Sequence, residues 1–248
     1  PDEYSFNPGI GKKNFMKRYG IPTAPFDICT NMEEVLKALK NRTAPYVVKA
    51  DGLAAGKGAF IIDDLDEALL TAEELLSGKK LGKAGETLVI EDCLPGMELT
   101  VLAITDGKEI RALSPSQDHK RIFNDDLGPN TGGMGAYSPV PWVNESLMKD
   151  IRKMILEPTL SGLQEEEIPY CGVIYAGLMI DEKNKPSLIE YNVRLGDPEA
   201  QVVLPVFQGD FAETLIACCE NRLDKVYWPE TERSAVDVVM ASGGYPDN

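Results

Sequence analysis

The residues best placed to do chemistry lie on one short run, Ser187-Leu-Ile-Glu-Tyr-Asn-Val193, and on Arg194-Leu-Gly-Asp-Pro-Glu199 after it. Ser187–Val193 interleaves apolar and polar residues as a strand does. Side chains alternate faces along a strand, so Leu188, Glu190, Asn192 and Arg194 are expected on one face and Ile189, Tyr191 and Val193 on the other. Burying unpaired polar groups costs several kcal/mol, so a carboxylate, an amide and a guanidinium in one row need a reason. Two reasons are open. The row is a partly exposed polar face, or it is a site in which Glu190 and Asn192 ligate Mg²⁺ and Arg194 faces an anion. Mg²⁺ takes one or two protein oxygens and completes its octahedron with water and phosphate.

Four other places carry similar pairs of readings. Lys49 ends the apolar run Tyr46-Val-Val-Lys-Ala50, and Asp51-Gly-Leu-Ala-Ala-Gly-Lys-Gly-Ala59 follows it. Gly56-Lys57-Gly58 can bring backbone N–H groups close to phosphate, with Lys49 reaching the same phosphates; it can equally be a plain hairpin turn. It is not a Walker A loop, because the glycine spacing differs and no Ser or Thr follows the lysine. Glu91-Asp-Cys-Leu94 closes a strand where exposed backbone can pair with an adenine edge and Glu98 can take ribose hydroxyls; the rival reading is an ordinary strand end. His119, the one histidine, lies among Asp118, Lys120 and Arg121. Alone it builds no zinc site, so the choice is between a polar site and a salt-bridged loop. Asp197-Pro-Glu199 reads as a well-made helix start, or as acids that bind an amino group.

Strands and helices must position these groups. Helices are expected over Lys12–Tyr19, Asn31–Lys40, Asp64–Leu76, Asn144–Leu163 and from Asp210. Asn31, Asp64 and Asp210 are each followed three residues on by Glu34, Glu67 and Glu213, the spacing of a capping pair. The expected inward stripes are Val35, Leu36 and Leu39; Ala68, Ala72, Leu75 and Leu76; Leu147, Ile151, Met154 and Ile155; and Leu215, Ile216 and Cys219. Pro158 should kink or end its helix. Strands are expected over Tyr46–Ala50, Phe60–Asp63, Thr87–Leu94, Leu99–Thr105 and Ile110–Leu113, with Asp106-Gly107 as a hairpin turn. Two more pair across Lys183-Asn184-Lys185, and another covers Ala235–Ala241. Lys79–Gly85 reads as a loop, and residues 1–11 show no periodicity. Ser114–Pro141 also lacks periodicity, and a stretch that long is uncommon unless it has a function.

Composition narrows the classes. The chain has 248 residues, 43% hydrophobic and 26% charged, enough for one large domain or two smaller ones. No apolar run spans a membrane and nothing resembles a secretion signal, so a cytoplasmic setting is expected. Five cysteines match no disulfide framework and are expected as core residues in a reducing compartment. A net charge of −15 argues against nucleic acid as a partner, although a few local cations suffice for a nucleotide.

Taken together, Val48-Lys-Ala-Asp-Gly-Leu-Ala-Ala-Gly-Lys-Gly58, Ser116-Gln-Asp-His-Lys-Arg121, Gly128-Pro-Asn-Thr-Gly-Gly-Met-Gly-Ala-Tyr137, Tyr175-Ala-Gly-Leu-Met179 and Glu190-Tyr-Asn-Val-Arg-Leu-Gly-Asp-Pro-Glu199 resemble the ATP-grasp superfamily. Within it they are similar to the glycinamide ribonucleotide synthetases, the phosphoribosylamine–glycine ligases, over about Phe15 to Pro246. The resemblance implies an α+β ATP-grasp fold with a small lid (27–94) on a larger body (1–26 and 95–237), and 238–248 beginning a further domain. It implies ATP-dependent joining of glycine to 5-phosphoribosylamine through glycyl phosphate, by a cytoplasmic monomer of purine biosynthesis. Lys49 and Ala55, Gly56, Lys57 and Gly58 would meet the phosphates. Glu91, Cys93 and Leu94 would line the adenine, and Glu98 the ribose. Glu190 and Asn192 would hold Mg²⁺ or Mn²⁺, and Arg194, Asp197 and Glu199 would lie near glycine and the acyl phosphate. Two departures stand out: the family's usual Ser-Lys-x-Phe is replaced by Pro8-Gly9-Ile10-Gly11, and Ala176-Gly177-Leu178 carries no acid. The family's amino-terminal domain is expected to be missing, so the chain alone is expected to be inactive. The rival readings are another ATP-grasp carboxylate–amine ligase and a nucleotide-binding module without catalysis.

Overall fold

The expected caps set the helices. In this computed structural model, which describes residues 10–52 and 58–246, Asn31, Asp64, Asn144 and Asp210 accept the N–H of Glu34, Glu67, Leu147 and Glu213 at 2.9–3.0 Å. Each satisfies one backbone donor that a helix start leaves open. Glu34 also reaches back, accepting the Thr30 N–H at 2.7 Å. Dense packing divides the chain in two: the described residues through Arg18 with Pro22–Pro95, and Tyr19–Ile21 with Gly96 onward.

The first unit is an antiparallel sheet with helices on one face. Its strands are β1 (Phe26–Cys29), β2 (Tyr46–Ala50), β3 (Ala59–Ile62) and β4 (Leu88–Asp92), in the order β1-β4-β2-β3. Helices α2 (Met32–Lys40) and α3 (Leu65–Leu76) bury Val35, Ala38, Leu39, Ala68, Ala72 and Leu75 against Cys29, Val48, Ile62, Leu88 and Ile90. Leu36, expected inward, is exposed, and Ala38 takes its place one turn from Val35. The expected loop at Lys79–Gly85 contains a 3₁₀ turn, Gly82–Gly85. Strand alternation leaves Val47, Lys49, Val89 and Glu91 on the face away from α2 and α3. Helix α1 (Ile10–Arg18) belongs to this unit, whereas residues 1–26 were expected with the larger body. The reason is local: Lys13 of α1 bonds to Glu91 and Thr23 and stands 5.7 Å from the Phe26 ring centre.

The second unit is built on a four-stranded antiparallel sheet, β12-β11-β5-β6. Its strands are β5 (Met97–Thr105), β6 (Ile110–Ala112), β11 (Gly172–Ile180) and β12 (Pro186–Asn192). Within Ser114–Pro141 lie the short strands β7 (Gln117–Asp118), β8 (Arg121–Phe123), β9 (Leu127–Asn130) and β10 (Gly135–Ser138). β8 pairs with β9, and β10 lies between β7 and β13 (Ala235–Val238), which is shorter than expected. The helix expected over Asn144–Leu163 is α4 (Glu145–Ile151), a π-helical segment Arg152–Leu156, and α5 (Glu157–Glu165). Pro158 does not end the helix: the backbone stays helical through it, and the wider π-helical turn just before it accommodates the missing N–H and the ring. Leu156 is buried there and Met154 only half-buried.

Helix α6 (Glu199–Val206) and helix α7 (Phe211–Cys219) complete the unit. The expected core face of α7 is reversed: Leu215, Ile216 and Cys219 are exposed, and Thr214, Ala217 and Cys218 are buried. Small residues let the helix come close, so that Cys218 Sγ donates to the Thr105 carbonyl at 3.0 Å. Among the described residues no single helix is long and apolar enough to cross a membrane.

Candidate functional site

Two clusters of charge answer to the sequence candidates, one in each unit. In the first unit, β2 and β4 are paired with Val47 opposite Glu91 and Lys49 opposite Val89. Lys49 and Glu91 are thus diagonal neighbours on one face, within reach of long side chains. Lys49 Nζ lies 3.1 Å from Glu91 Oε2, and Lys13 Nζ lies 3.0 Å from the same oxygen. Thr23 Oγ1 accepts from Lys13 Nζ at 2.7 Å. Lys13 and Glu91 are 4% and 3% exposed. Burial pulls the pKa of Lys13 below its ordinary value and Lys49 adds to the fall, against the attraction of Glu91. Removing one partner of such a buried pair costs about 3–5 kcal/mol, because the other charge is stranded.

The Gly58 carbonyl accepts the Ala50 N–H at 2.8 Å and closes the β2–β3 connection. The candidates Ala55, Gly56 and Lys57 lie outside the described residues. Past the last β4 pair, Tyr46 with Asp92, the chain runs on through Cys93 and Leu94 outside any sheet register, and both are half-buried.

In the second unit the ladder of β11 and β12 slips between Gly177 and Leu178: Gly177 faces Glu190, but Leu178 faces Leu188. Ile189 is therefore an extra residue, a β-bulge, and it reverses the alternation. Leu188 joins Tyr191 on the buried side, where Tyr191 is hydrogen-bonded to Thr159 of α5. Glu190 and Asn192 point the other way. The expected shared face of Leu188 and Glu190 is thus broken, while the Glu190–Asn192 pair is kept. A Cβ on Gly177 would lie 3.0 Å from Glu190 Cγ, so the glycine gives the carboxylate its room.

Acidic groups gather on this side of the sheet. Lys120 Nζ is 2.7 Å from Glu98 Oε2 and 3.6 Å from Asp118 Oδ2. Burial alone would lower the pKa of Lys120, but Asp118, Glu98 and Glu190 together hold it above its ordinary value. Asp118 is buried, and that burial raises its carboxyl pKa against the pull of Lys120. Glu199, 2% exposed at the start of α6, accepts from Tyr175 Oη at 2.8 Å and Thr100 Oγ1 at 3.3 Å. Burial, with Glu199 beside it, pushes the Tyr175 phenol far above its usual range. Asp197 is exposed and accepts from Gln201 Nε2 at 2.6 Å. Arg194 is exposed and donates to the Leu195 carbonyl at 2.9 Å.

The glycine-rich run now has a reason. Gly133 has φ +129°, and a Cβ there would lie 2.4 Å from Pro198 Cδ. The connection 131–134 between β9 and β10 can therefore lie directly on the Asp197-Pro198 corner. His119 pairs by backbone with Gly135 and Met134, and its exposed ring is 5.8 Å from that of Tyr137.

Among the described residues no group of three or more His, Cys, Asp or Glu side chains could hold a metal unaided. Glu190 and Asn192 offer one carboxylate and one amide oxygen, a donor set suited to Mg²⁺ completed by water and phosphate. Sequence reasoning missed Lys13, Asp118 as a buried acid, and the Thr100–Tyr175–Glu199 chain. Lys13 had a signal, since it shares a helix face with the buried Met16 three residues on.

The family model for the phosphoribosylglycinamide synthetase ATP-grasp (A) domain matches residues 11–200. A phosphoribosylamine–glycine ligase of Allochromatium vinosum is 48% identical over 236 residues, 95% of this chain and 55% of that protein. The crystal structure of a phosphoribosylamine–glycine ligase from Thermotoga maritima superposes with a TM-score of 0.90 at 37% identity, over 97% of this chain and 60% of that one. At the level of fold alone, a biotin carboxylase domain from Hydrogenobacter thermophilus, solved with MgADP, gives a TM-score of 0.68 at 18% identity, over 93% of this chain and 49% of that one. The chain spans about half the length of the curated relatives it matches.

Proposed function

The chain belongs to the phosphoribosylglycinamide synthetase ATP-grasp (A) domain family, and from that premise we propose that it is the catalytic core of an ATP-dependent ligase joining glycine to 5-phosphoribosylamine. The products are glycinamide ribonucleotide, ADP and phosphate, in cytoplasmic purine biosynthesis. The observation that carries the reading is the Glu190–Asn192 pair, two hard oxygen donors aimed to one side of a bulged strand.

Lys49 and the Gly58 turn would meet the ATP phosphates, with Ala55, Gly56 and Lys57 contributing from the same turn. The backbone of Glu91, Cys93 and Leu94 would take the adenine, and Glu98 the ribose. Mg²⁺ or Mn²⁺, held by Glu190 and Asn192, would supply charge neutralisation at the γ-phosphoryl group. A glycine carboxylate oxygen attacks the γ-phosphorus, and the bond to the β-phosphate oxygen breaks to release ADP. The amine of phosphoribosylamine then attacks the carbonyl carbon of glycyl phosphate, and phosphate leaves. Arg194 and Asp197, both exposed, suit the anionic acyl phosphate and the glycine ammonium. Glu199, bonded to Tyr175 and Thr100, acts by holding that corner in place. Positioning and charge carry most of such a phosphoryl transfer, so no protein nucleophile is needed.

The test is product formation from ATP, glycine and phosphoribosylamine. The expected result is MgATP binding by this chain, with turnover lower than that of a full-length relative, of whose length it spans 55%. Failure to bind MgATP contradicts the reading itself.

A further inference from the structure

In the nucleotide reading Lys49 meets phosphate, yet Lys49 is already engaged. Its Nζ lies 3.1 Å from Glu91 Oε2. A phosphate that gains Lys49 shares its charge with, or draws it from, a carboxylate that is 3% exposed. A buried carboxylate stripped of its counter-ion is strongly unfavourable. The other oxygen gives no relief, because Glu91 Oε1 is buried and has no hydrogen-bond partner among the described residues.

Lys13 resolves the conflict. We propose that Lys13 is a positioning residue, the resident counter-ion of Glu91 that lets Lys49 exchange between Glu91 and the phosphates of a bound nucleotide. The inference rests on the nucleotide reading above. Three observations support it. Both ammonium groups converge on the same oxygen, Oε2, so either alone can serve it. Their freedom differs: the Lys13 side chain is 5% exposed and held by Thr23, whereas that of Lys49 is 23% exposed. Lys49 is the one with a path to solvent. Finally, two cations on one carboxylate leave one positive charge in excess, and the repulsion between them favours departure of the more exposed. When Lys49 leaves for phosphate, the Lys13–Glu91 pair remains neutral and the excess charge travels to the anion.

The test is a double-mutant cycle read by calorimetric titration with MgATP and, separately, with adenosine. The variants are Lys13→Met, Glu91→Gln and the double variant. Lys13→Met should weaken MgATP binding about tenfold or more and adenosine binding less than about twofold, since adenosine asks nothing of Lys49. In the Glu91→Gln background the same change should alter MgATP affinity less than about threefold, because no buried charge is left to strand. Equal losses in both backgrounds, or equal losses for MgATP and adenosine, would mark Lys13 as merely structural and overturn the proposal. Should Lys13→Met alone not fold, the double variant against Glu91→Gln still decides, a further loss above tenfold being contrary. A parent chain that binds no MgATP overturns the nucleotide reading instead, and this inference falls with it.

Discussion

The two charged clusters are opposites in composition. In the first unit two ammonium groups share one carboxylate; in the second, Asp118, Glu98 and Glu190 surround the single ammonium of Lys120. The first is left with positive charge that an anion can use, and the second with negative charge that a cation can use. They are also built differently. The first rests on long side chains reaching across a sheet face from α1, β2 and β4. The second rests on close backbone approach, with Gly133 against Pro198 and Gly177 under Glu190. The difference makes them separable by experiment.

Breaking the backbone device should have the largest effect. Gly133→Ala places a Cβ at 2.4 Å from Pro198 Cδ and at φ +129°. It should cost about 3 kcal/mol of stability, seen as a lower denaturation midpoint. Nothing comparable is expected from a change at Lys49, because Lys13 still pairs with Glu91 when Lys49 is removed. Lys49→Ala should instead weaken ATP binding by about 1.5–3 kcal/mol, and by a similar amount with and without Mg²⁺. A loss confined to the Mg²⁺ condition would blur the distinction between the clusters.

Asp106 is a carboxylate held for structure alone, and it gives a control for both. Burial would raise its pKa, but the N–H groups of Glu109, Lys108 and Leu223 outweigh burial and hold it below the ordinary 3.8. Its folded pKa is below the unfolded one, so its stabilisation is complete above pH 3.8 and is lost as pH falls through the lowered value. Asp106→Asn should therefore flatten the acid limb of the stability curve and cost about 1–2 kcal/mol at pH 7, without changing ligand affinity. The smallest effect belongs to α7. Leu215→Lys should change stability by less than about 0.5 kcal/mol, because Leu215 is 40% exposed.

That last position shows where a sequence stops being informative. Asn31, Asp64 and Asp210 announced their helices because a cap and a Glu three residues on act locally. Lys49, Glu91, Glu190 and Asn192 stood out as polar groups on apolar strands. The buried face of α7 did not, because Phe211-Ala-Glu-Thr-Leu-Ile-Ala-Cys-Cys219 is apolar on several sides and the partner's shape chooses the smaller residues. The bulge at Ile189 was equally hidden, since it arises from pairing with β11 rather than from β12 itself. It spoiled the expected place of Leu188, yet Glu190 and Asn192 lie beyond it and kept their common side. Lys13 was overlooked because lysine is ordinarily exposed, and its place on the face of Met16 does not name the carboxylate, distant in sequence, that pairs with it. What pairing and packing decide at long range stayed out of reach, including the grouping of α1 with the first unit.

The central claim is that Glu190 and Asn192 are a metal pair and not a structural one. Melting temperature with and without MgATP, for the parent, Glu190→Gln and Asn192→Ala, tests it most directly. Glu190→Gln keeps the shape and removes the charge of an exposed side chain, so the ligand-free melting temperature should stay within a few degrees of the parent's, equivalent to about 1 kcal/mol or less. The upward shift produced by MgATP should shrink markedly in both variants, following the lost affinity. A MgATP shift undiminished in both variants, or a large fall in the ligand-free melting temperature with the shift intact, would contradict the claim.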